Sequence, residues 1–72
     1  MQKLNEIEKI VLNKNFNNLS SREMDIFIEI EDRIEREEIC PNCNGSIVSC
    51  AFGSFMCQDC GSNFDIYDFI EN

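Results

Sequence analysis

Four of the five cysteines stand in two pairs whose spacing is typical of a metal site. Cys40 and Cys43 form one pair and Cys57 and Cys60 form the other, with two residues inside each pair and thirteen residues between the pairs. Two intervening residues let the chain curl so that both sulfurs face one ion, and four thiolates at about 2.3 Å suit the tetrahedral preference of Zn²⁺. We therefore predict one structural zinc ion at these four residues, in preference to disulfides or four unrelated core thiols.

Residues 39–70 resemble the zinc-ribbon group, whose motif is a CPxC knuckle, a hairpin, a CxxCG knuckle and a strand. The matching segments read Cys40-Pro41-Asn42-Cys43-Asn44-Gly45 and Cys57-Gln58-Asp59-Cys60-Gly61. Gly45 and Gly61 stand where such knuckles need a residue that tolerates positive φ. Asn44 replaces the Gly of many ribbons, and Asn also tolerates the left-handed region. The resemblance implies the fold but no single function, since zinc ribbons are similar across transcription factors, polymerase subunits, ribosomal proteins and viral proteins.

Residues 1–19 have the pattern of one short helix. Apolar side chains at helical spacing, from Leu4 to Val11, predict a helix over about residues 2–14. The Asn-rich run over residues 13–18 ends this helix, because Asn favours turns over helix interiors. We expect Phe16 and Leu19 to fold back onto the core.

A second helix is predicted from Ser21 to Glu37, because Ser20 and Glu23 form a capping-box signature at its start. Residues 25–31 also alternate as a strand would, but the cap and the charged continuation favour a helix. The predicted core face consists of Met24, Phe27, Ile28, Ile34 and the aliphatic part of Glu31. Two further isoleucines lie outside this face and need a cover from the ribbon or from a partner: Ile26 and Ile30.

The C-terminal half has the pattern of short strands. We predict strands over residues 47–52, 55–57 and 64–69, with Gly53-Ser54 as the hairpin turn. Cys50 alternates in phase with its neighbours on the core face of the first strand, and no basic residue nearby would activate it, so we predict a buried structural thiol. The predicted fold is α+β: a two-helix hairpin (residues 1–38) packs on a three-stranded antiparallel zinc ribbon (residues 39–72), as one cooperative unit.

The net charge of −8 is distributed unevenly, and it favours a basic protein partner. Residues 39–72 contain four acids and no Lys or Arg, which argues against direct nucleic-acid binding, because affinity for phosphates depends on cations. The alternative for the acidic second helix is an ordinary solvated face, with Glu29–Arg33 and Asp32–Arg36 pairs. The predicted partner surface consists of Glu29, Glu31, Asp32, Glu35, Glu38, Tyr67 and Phe69.

The residue types argue against catalysis. A catalytic zinc keeps an open position and usually has His or a carboxylate among its ligands, whereas this chain has no histidine and its four cysteines would close the site. We predict an adaptor or inhibitor that occupies a basic cleft of transcription or nucleic-acid-processing machinery. We also expect the protein to be encoded by a phage. A DNA mimic and a rubredoxin-like iron electron carrier are the alternatives, since S₄ sites accept either metal. Thirteen residues between the pairs is short for rubredoxins, and Trp is absent. Dimer formation through the uncovered apolar residues stays open.

The expected compartment is the cytoplasm. The first residues are polar and do not resemble a secretory signal. No stretch approaches the roughly 20 apolar residues that a membrane span needs. In a reducing compartment, paired cysteines favour metal over disulfides.

Overall fold

The computed structural model describes residues 1–71, and of Phe16 it describes only the backbone. Two helices precede a three-stranded antiparallel sheet of order β1-β2-β3, so the predicted α+β class is confirmed. The predicted packing of the Phe16 side chain lies outside the described part, and Leu19 packs partly buried against the core. The elements are α1 (Glu6–Asn13), α2 (Ser21–Glu37), β1 (Ile47–Ala51), β2 (Ser54–Cys57) and β3 (Asn63–Asp65), with 3₁₀ turns at Phe16–Asn18 and Ile66–Phe69.

Both helices begin at a capping box. In the predicted box, Ser20 Oγ accepts from the amide of Glu23 at 3.3 Å, and the Glu23 carboxylate accepts from the amide of Ser20 at 3.0 Å. The second box was not predicted: Asn5 Oδ1 accepts from the amide of Glu8 at 2.8 Å, and Glu8 accepts in return at 3.0 Å. Each box satisfies two amides that have no partner within the helix. The bounds of α2 are therefore as predicted, whereas α1 begins four residues later than predicted.

The residues before α1 pair with the end of the chain instead of extending the helix. Gln2 forms a parallel bridge with Ile70, in which the Gln2 amide donates to Phe69 O at 2.6 Å and the Glu71 amide donates to Gln2 O at 2.8 Å. Leu4 lies outside the helix and is buried in the core. The prediction of a helix over residues 2–5 is wrong because Gln2 pairs with the end of the chain and Asn5 caps the helix.

The buried face of α2 differs from the predicted face. Ile30 and Ile34 have no exposed surface, and Phe27 and Glu31 are also buried, whereas Ile28 is 45% exposed. The reason is that α2 packs against two elements, with α1 on one side and β1 on the other. Two neighbours turn the buried stripe toward Ile30, so this residue belongs to the core and Ile28 does not.

The pairing of β1 with β2 shows why Cys50 is exposed. The β1–β2 register runs Ile47↔Cys57, Val48↔Met56, Ser49↔Phe55 and Ala51↔Ser54, with an irregularity between Ser49 and Ala51. Ile47 and its partner Cys57 are buried, so the face of β1 that carries Ile47 points to the core, and Val48 and Cys50 lie on the opposite face. Cys50, which lies at the β-bulge, is accordingly exposed, and the prediction of a buried thiol on the core face is wrong.

The third strand is shorter than predicted and continues as a 3₁₀ turn. Pairing with β2 ends at Asp65, whose amide donates to the Asp68 carboxylate at 2.9 Å. Three residues per turn place Ile66 and Phe69 on the same side. Both are buried, at 2% and 3% exposure, whereas Tyr67 is 59% exposed. The predicted alternation of a strand over residues 64–69 is therefore wrong.

One hydrophobic cluster connects the helices with the sheet. Phe55 is fully buried and packs edge-to-face on Phe69 with ring centroids 5.6 Å apart. The same cluster contains Ile30 of α2, Val11 of α1 and the first cysteine of the first pair, Cys40. The helices and the sheet therefore share one core, and their folding as one cooperative unit stays a prediction. Within residues 1–71, neither helix is long and apolar enough to cross a membrane.

Candidate metal centre

The fold brings together the four predicted cysteine sulfurs. Their Sγ atoms all lie within 4.8 Å of one another, with 3.6 Å between Cys40 and Cys60 and 3.4 Å between Cys43 and Cys57. A tetrahedral ion with metal–sulfur distances of about 2.3 Å separates its ligands by about 3.8 Å, so small shifts would fit this cluster to one ion. In residues 1–71, no other group of three or more potential ligand side chains gathers in this way.

The two cysteine pairs lie on knuckles with nearly the same backbone geometry. The amide of Asn44 donates to Cys40 O at 2.8 Å, and the amide of Gly61 donates to Cys57 O at 3.1 Å. Asn44 and Gly61 both have positive φ, at 62° and 74°. The left-handed residue is thus the fourth after the leading cysteine in each knuckle, which confirms that Asn44 adopts this region.

Gly45 lies against the Asp59 side chain and does not have the predicted positive φ. Its φ is not positive, but a Cβ atom at this position would lie 2.1 Å from Oδ2 of Asp59. Asp59 belongs to the second knuckle, so Gly45 permits the two knuckles to approach closely. The prediction that Gly45 adopts positive φ is therefore wrong, and Asn44 is the left-handed residue of the first knuckle.

Backbone amides point at the sulfurs of the leading cysteines. The amide of Asn42 lies 3.4 Å from Sγ of Cys40, and the amides of Asp59 and Cys60 lie 3.4 Å from Sγ of Cys57. Donors directed at sulfur stabilise the thiolate, which is the form that binds metal. Each knuckle therefore supplies donors for its own leading ligand.

Short backbone contacts fix the two knuckles against each other. An antiparallel bridge joins Ile39 and Ser46, and the amide of Cys40 donates to Gly45 O at 2.9 Å, which closes the first knuckle. The amide of Gln58 donates to Ser46 O at 3.0 Å and links the second knuckle to the first. Because β2 ends at Cys57, the hairpin places the second pair beside the first.

The inner and outer sulfurs have different surroundings. Cys40 and Cys57 are buried in the core, whereas Cys43 and Cys60 are exposed. Hydrogen bonding to Ser62, whose Oγ lies 3.2 Å from Sγ of Cys60, lowers the pKa of the Cys60 thiol to about 6. Hydrogen bonding to the Cys57 sulfur raises the pKa of the Cys43 thiol to about 12. A coordinated metal ion deprotonates its thiol ligands, so all four sulfurs would bind as thiolates.

Two acids of the predicted partner surface are used inside the fold. Glu31 is 8% exposed and accepts from the amide of Gly53 at 2.9 Å and from Ser49 Oγ at 3.4 Å. Glu35 accepts from the amide of Ser49, which covers a donor on the outer edge of β1. Burial raises the pKa of Glu31, partly offset by the hydrogen bond from Gly53. These carboxylates attach α2 to the hairpin.

The ion pairs of α2 also differ from the predicted ones. Glu38 accepts from Gln2 Nε2 at 2.9 Å. Arg33 pairs with Glu8 of α1 at 2.8 Å instead of with Glu29, since α1 packs on that side of α2. Arg36 Nε donates to the backbone carbonyl of Asp32 at 3.5 Å rather than to its carboxylate. The exposed acids of the predicted partner surface are therefore Glu29 and Asp32.

The two aromatic residues of the predicted partner surface lie in different environments. Phe69 is buried and packs edge-to-face on Phe55 and Phe64, so it does not lie on a partner surface. The ring of Tyr67 is exposed, and its hydroxyl donates to Leu12 O at 2.7 Å, at the end of α1. Tyr67 thus stays available to a partner, although its hydroxyl already has an acceptor.

Comparisons with known proteins leave the site geometry as the main guide to function. No protein-family model matches the chain, and neither a curated protein nor a solved structure matches it significantly. The likeness to zinc ribbons therefore depends on the two cysteine motifs and on the four gathered sulfurs.

Proposed function

We propose that this chain is a non-catalytic, zinc-stabilised module that binds a protein partner through an acidic surface. The observation that carries the proposal is the four-sulfur cluster, closed by its own ligands, in a half of the chain that has no cation. A metal in this position would hold the two knuckles together and stabilise the fold. We therefore place the function of the protein on its surface.

Zinc is the metal that we propose for the site. The ligands are four sulfurs that all lie within 4.8 Å of one another, and Zn²⁺ accepts a tetrahedral set of four thiolates without a redox change. Elemental analysis of protein from metal-supplemented culture should give one zinc per chain and no colour. A red protein that contains iron would instead indicate the rubredoxin-like electron carrier.

The ligand set supports a non-catalytic role. With four cysteines on the ion, no position stays open for the water that a catalytic zinc activates. The fifth cysteine, Cys50, is exposed on the β1 bulge, and no Lys or Arg stands within ten positions of it in the sequence to activate its thiol. We therefore place the function in binding.

The acidic field supports a basic partner. All six Lys and Arg residues lie within residues 3–36, and four bound thiolates would add a further two negative charges to the cation-free half. A field of one sign steers basic surfaces toward it and weakens as salt increases. A basic cleft of a transcription or nucleic-acid-processing protein fits this description, with the chain as an adaptor or an inhibitor.

The test uses two exposed acids of α2 that form no ion pair within residues 1–71, Asp25 and Asp32. The Asp25→Lys/Asp32→Lys variant changes the formal charge from −8 to −4, since each substitution adds two charges, and Asp25→Glu/Asp32→Glu is the matched control. Partners captured from host lysate on the zinc-loaded chain are purified and titrated with all three proteins. We expect the Lys variant to bind more weakly, with the larger loss at low salt. Equal affinity of the Lys variant and the control across the salt series would refute the acidic surface.

A further inference from the structure

The helical hairpin has an apolar groove on its outer side, away from the metal centre. Ile7 and Ile10 of α1 are 62% and 56% exposed, and Ile26 of α2 is partly buried beside them. The groove has a volume of about 310 Å³ and an almost wholly apolar lining. It is lined by Ile7, Ile10, Val11, Arg22, Glu23 and Ile26.

The fold uses only half of the apolar surface of α1. This helix has eight residues, and of its four apolar side chains Val11 and Leu12 are buried, whereas Ile7 and Ile10 face outward. A helix this short depends on packing for its stability. A contiguous exposed apolar patch that polar residues border is typical of an interaction site.

Arg22, which lines the groove, and Glu29, which lies further along α2, carry opposite charges that a two-fold rotation would pair. The helices are antiparallel, because Lys14 pairs with Glu23 at one end and Glu8 pairs with Arg33 at the other. Arg22 lies at the first end and makes no ion pair within residues 1–71. Glu29 lies two turns further along α2, toward the second end, and is exposed. Rotation about an axis across the groove would therefore place Arg22 of one copy against Glu29 of the other.

We propose that the chain binds a second copy of itself through this groove, in an isologous dimer. In such a dimer each contact occurs twice, so two Arg22–Glu29 pairs would border one apolar centre made of Ile7, Ile10 and Ile26 from both copies. Asp25 and Asp32 do not line the groove, so the variant that tests the basic partner leaves the apolar centre of the dimer unchanged.

Salt dependence separates the dimer from the basic partner. Two chains that each carry −8 repel each other, so salt screens the repulsion and the apolar contact should strengthen. Attraction to a basic partner should weaken over the same series. Sedimentation of the zinc-loaded chain over a range of concentrations should give a mass that rises from monomer to dimer, and that rises further with salt. A monomer mass at the highest concentration and salt would overturn the proposal.

One pair of variants tests the place of contact. Ile7→Glu should raise the dimer dissociation constant by at least about tenfold, because charges would be buried in the apolar centre. Glu is tolerated in the first turn of a helix, so α1 should persist, as circular dichroism and zinc content would verify. Ile28→Glu is the control, since Ile28 is 45% exposed and does not line the groove. An equal loss in both variants would overturn the assignment of the groove.

A charge exchange tests the two-fold geometry. Arg22→Glu should weaken the dimer several-fold, because it places two glutamates against each other at each end of the groove. Adding Glu29→Arg to the same chain should restore the dimer, since every pair is then remade with its charges exchanged. A double variant that is no stronger than Arg22→Glu alone would overturn the isologous arrangement.

Discussion

Truncation of Ile30 should weaken metal binding at a centre that this residue does not touch. Ile30 has no exposed surface and lies on α2 between α1 and the sheet. Replacing a buried Ile by Ala costs about 2–5 kcal/mol, depending on how far the neighbours relax. Ile34 is equally buried one turn away, so we expect little relaxation and a loss of about 3 kcal/mol.

The loss reaches the metal because one core contains both Ile30 and two of the ligands, Cys40 and Cys57. If the metal-free chain is unfolded, the free energy of zinc binding includes the free energy of folding. A factor of ten in affinity corresponds to about 1.4 kcal/mol, so a loss of about 3 kcal/mol should lower the apparent zinc affinity about a hundredfold.

The assay is a competition titration with a chelator of known zinc affinity, with folding followed by circular dichroism. Ile28→Ala is the matched control on the same helix, and because Ile28 is 45% exposed its affinity should stay close to wild type. A zinc affinity of Ile30→Ala that equals that of the wild type, while the helices melt earlier, would refute the reasoning. The helical hairpin and the ribbon would then be two independent units.

Three further predictions concern single contacts. Cys43→Ser should lose zinc and the ordered ribbon even though Cys43 is exposed, and unchanged circular dichroism and melting in chelator would contradict the site. Glu31→Gln should be more stable than wild type at neutral pH, with a smaller difference below pH 4.5, as measured by urea unfolding. The sign follows because a raised pKa means that the folded chain loses stability when Glu31 ionises as pH rises, whereas Gln still accepts from Gly53. Tyr67→Phe should cost about 1 kcal/mol by removing the hydrogen bond to Leu12 O, and an unchanged unfolding midpoint would show that this bond contributes nothing.

Local sequence patterns were sufficient to predict those features of the structure that depend only on residues close together in the chain. Ser20 and Glu23 predicted the start of α2 because a capping box is complete within four residues. The paired cysteines predicted the gathered sulfurs because each knuckle closes on itself, through Asn44 in one and Gly61 in the other. The box at Asn5 was equally local and could have been found by the same rule.

Contacts between distant segments account for the errors. Ile30 is buried because α1 and β1 both pack on α2, and periodicity along one helix contains no information about a second neighbour. Cys50 is exposed because Ile47 faces the core, which leaves Val48 and Cys50 on the opposite face of β1. Phe69 is buried because the chain leaves the sheet after Asp65 and turns into a 3₁₀ segment. Alternation along one strand does not reveal which of its faces is buried or where the strand ends.

The acids of α2 show that net charge does not reveal which carboxylates are free to bind a partner. Glu31 and Glu35 accept hydrogen bonds from the hairpin, and Glu38 accepts one from Gln2, so these three carboxylates are part of the packing. Charge reversal at these positions would leave the amides of Ser49 and Gly53 without acceptors and would destabilise the fold. Weaker partner binding by such a variant would then result from unfolding and not from lost electrostatic attraction. Electrostatic steering depends on charge that stays in solvent. A test of steering in this chain must therefore alter exposed acids that make no contact, and leave the carboxylates that attach the helix to the sheet unchanged.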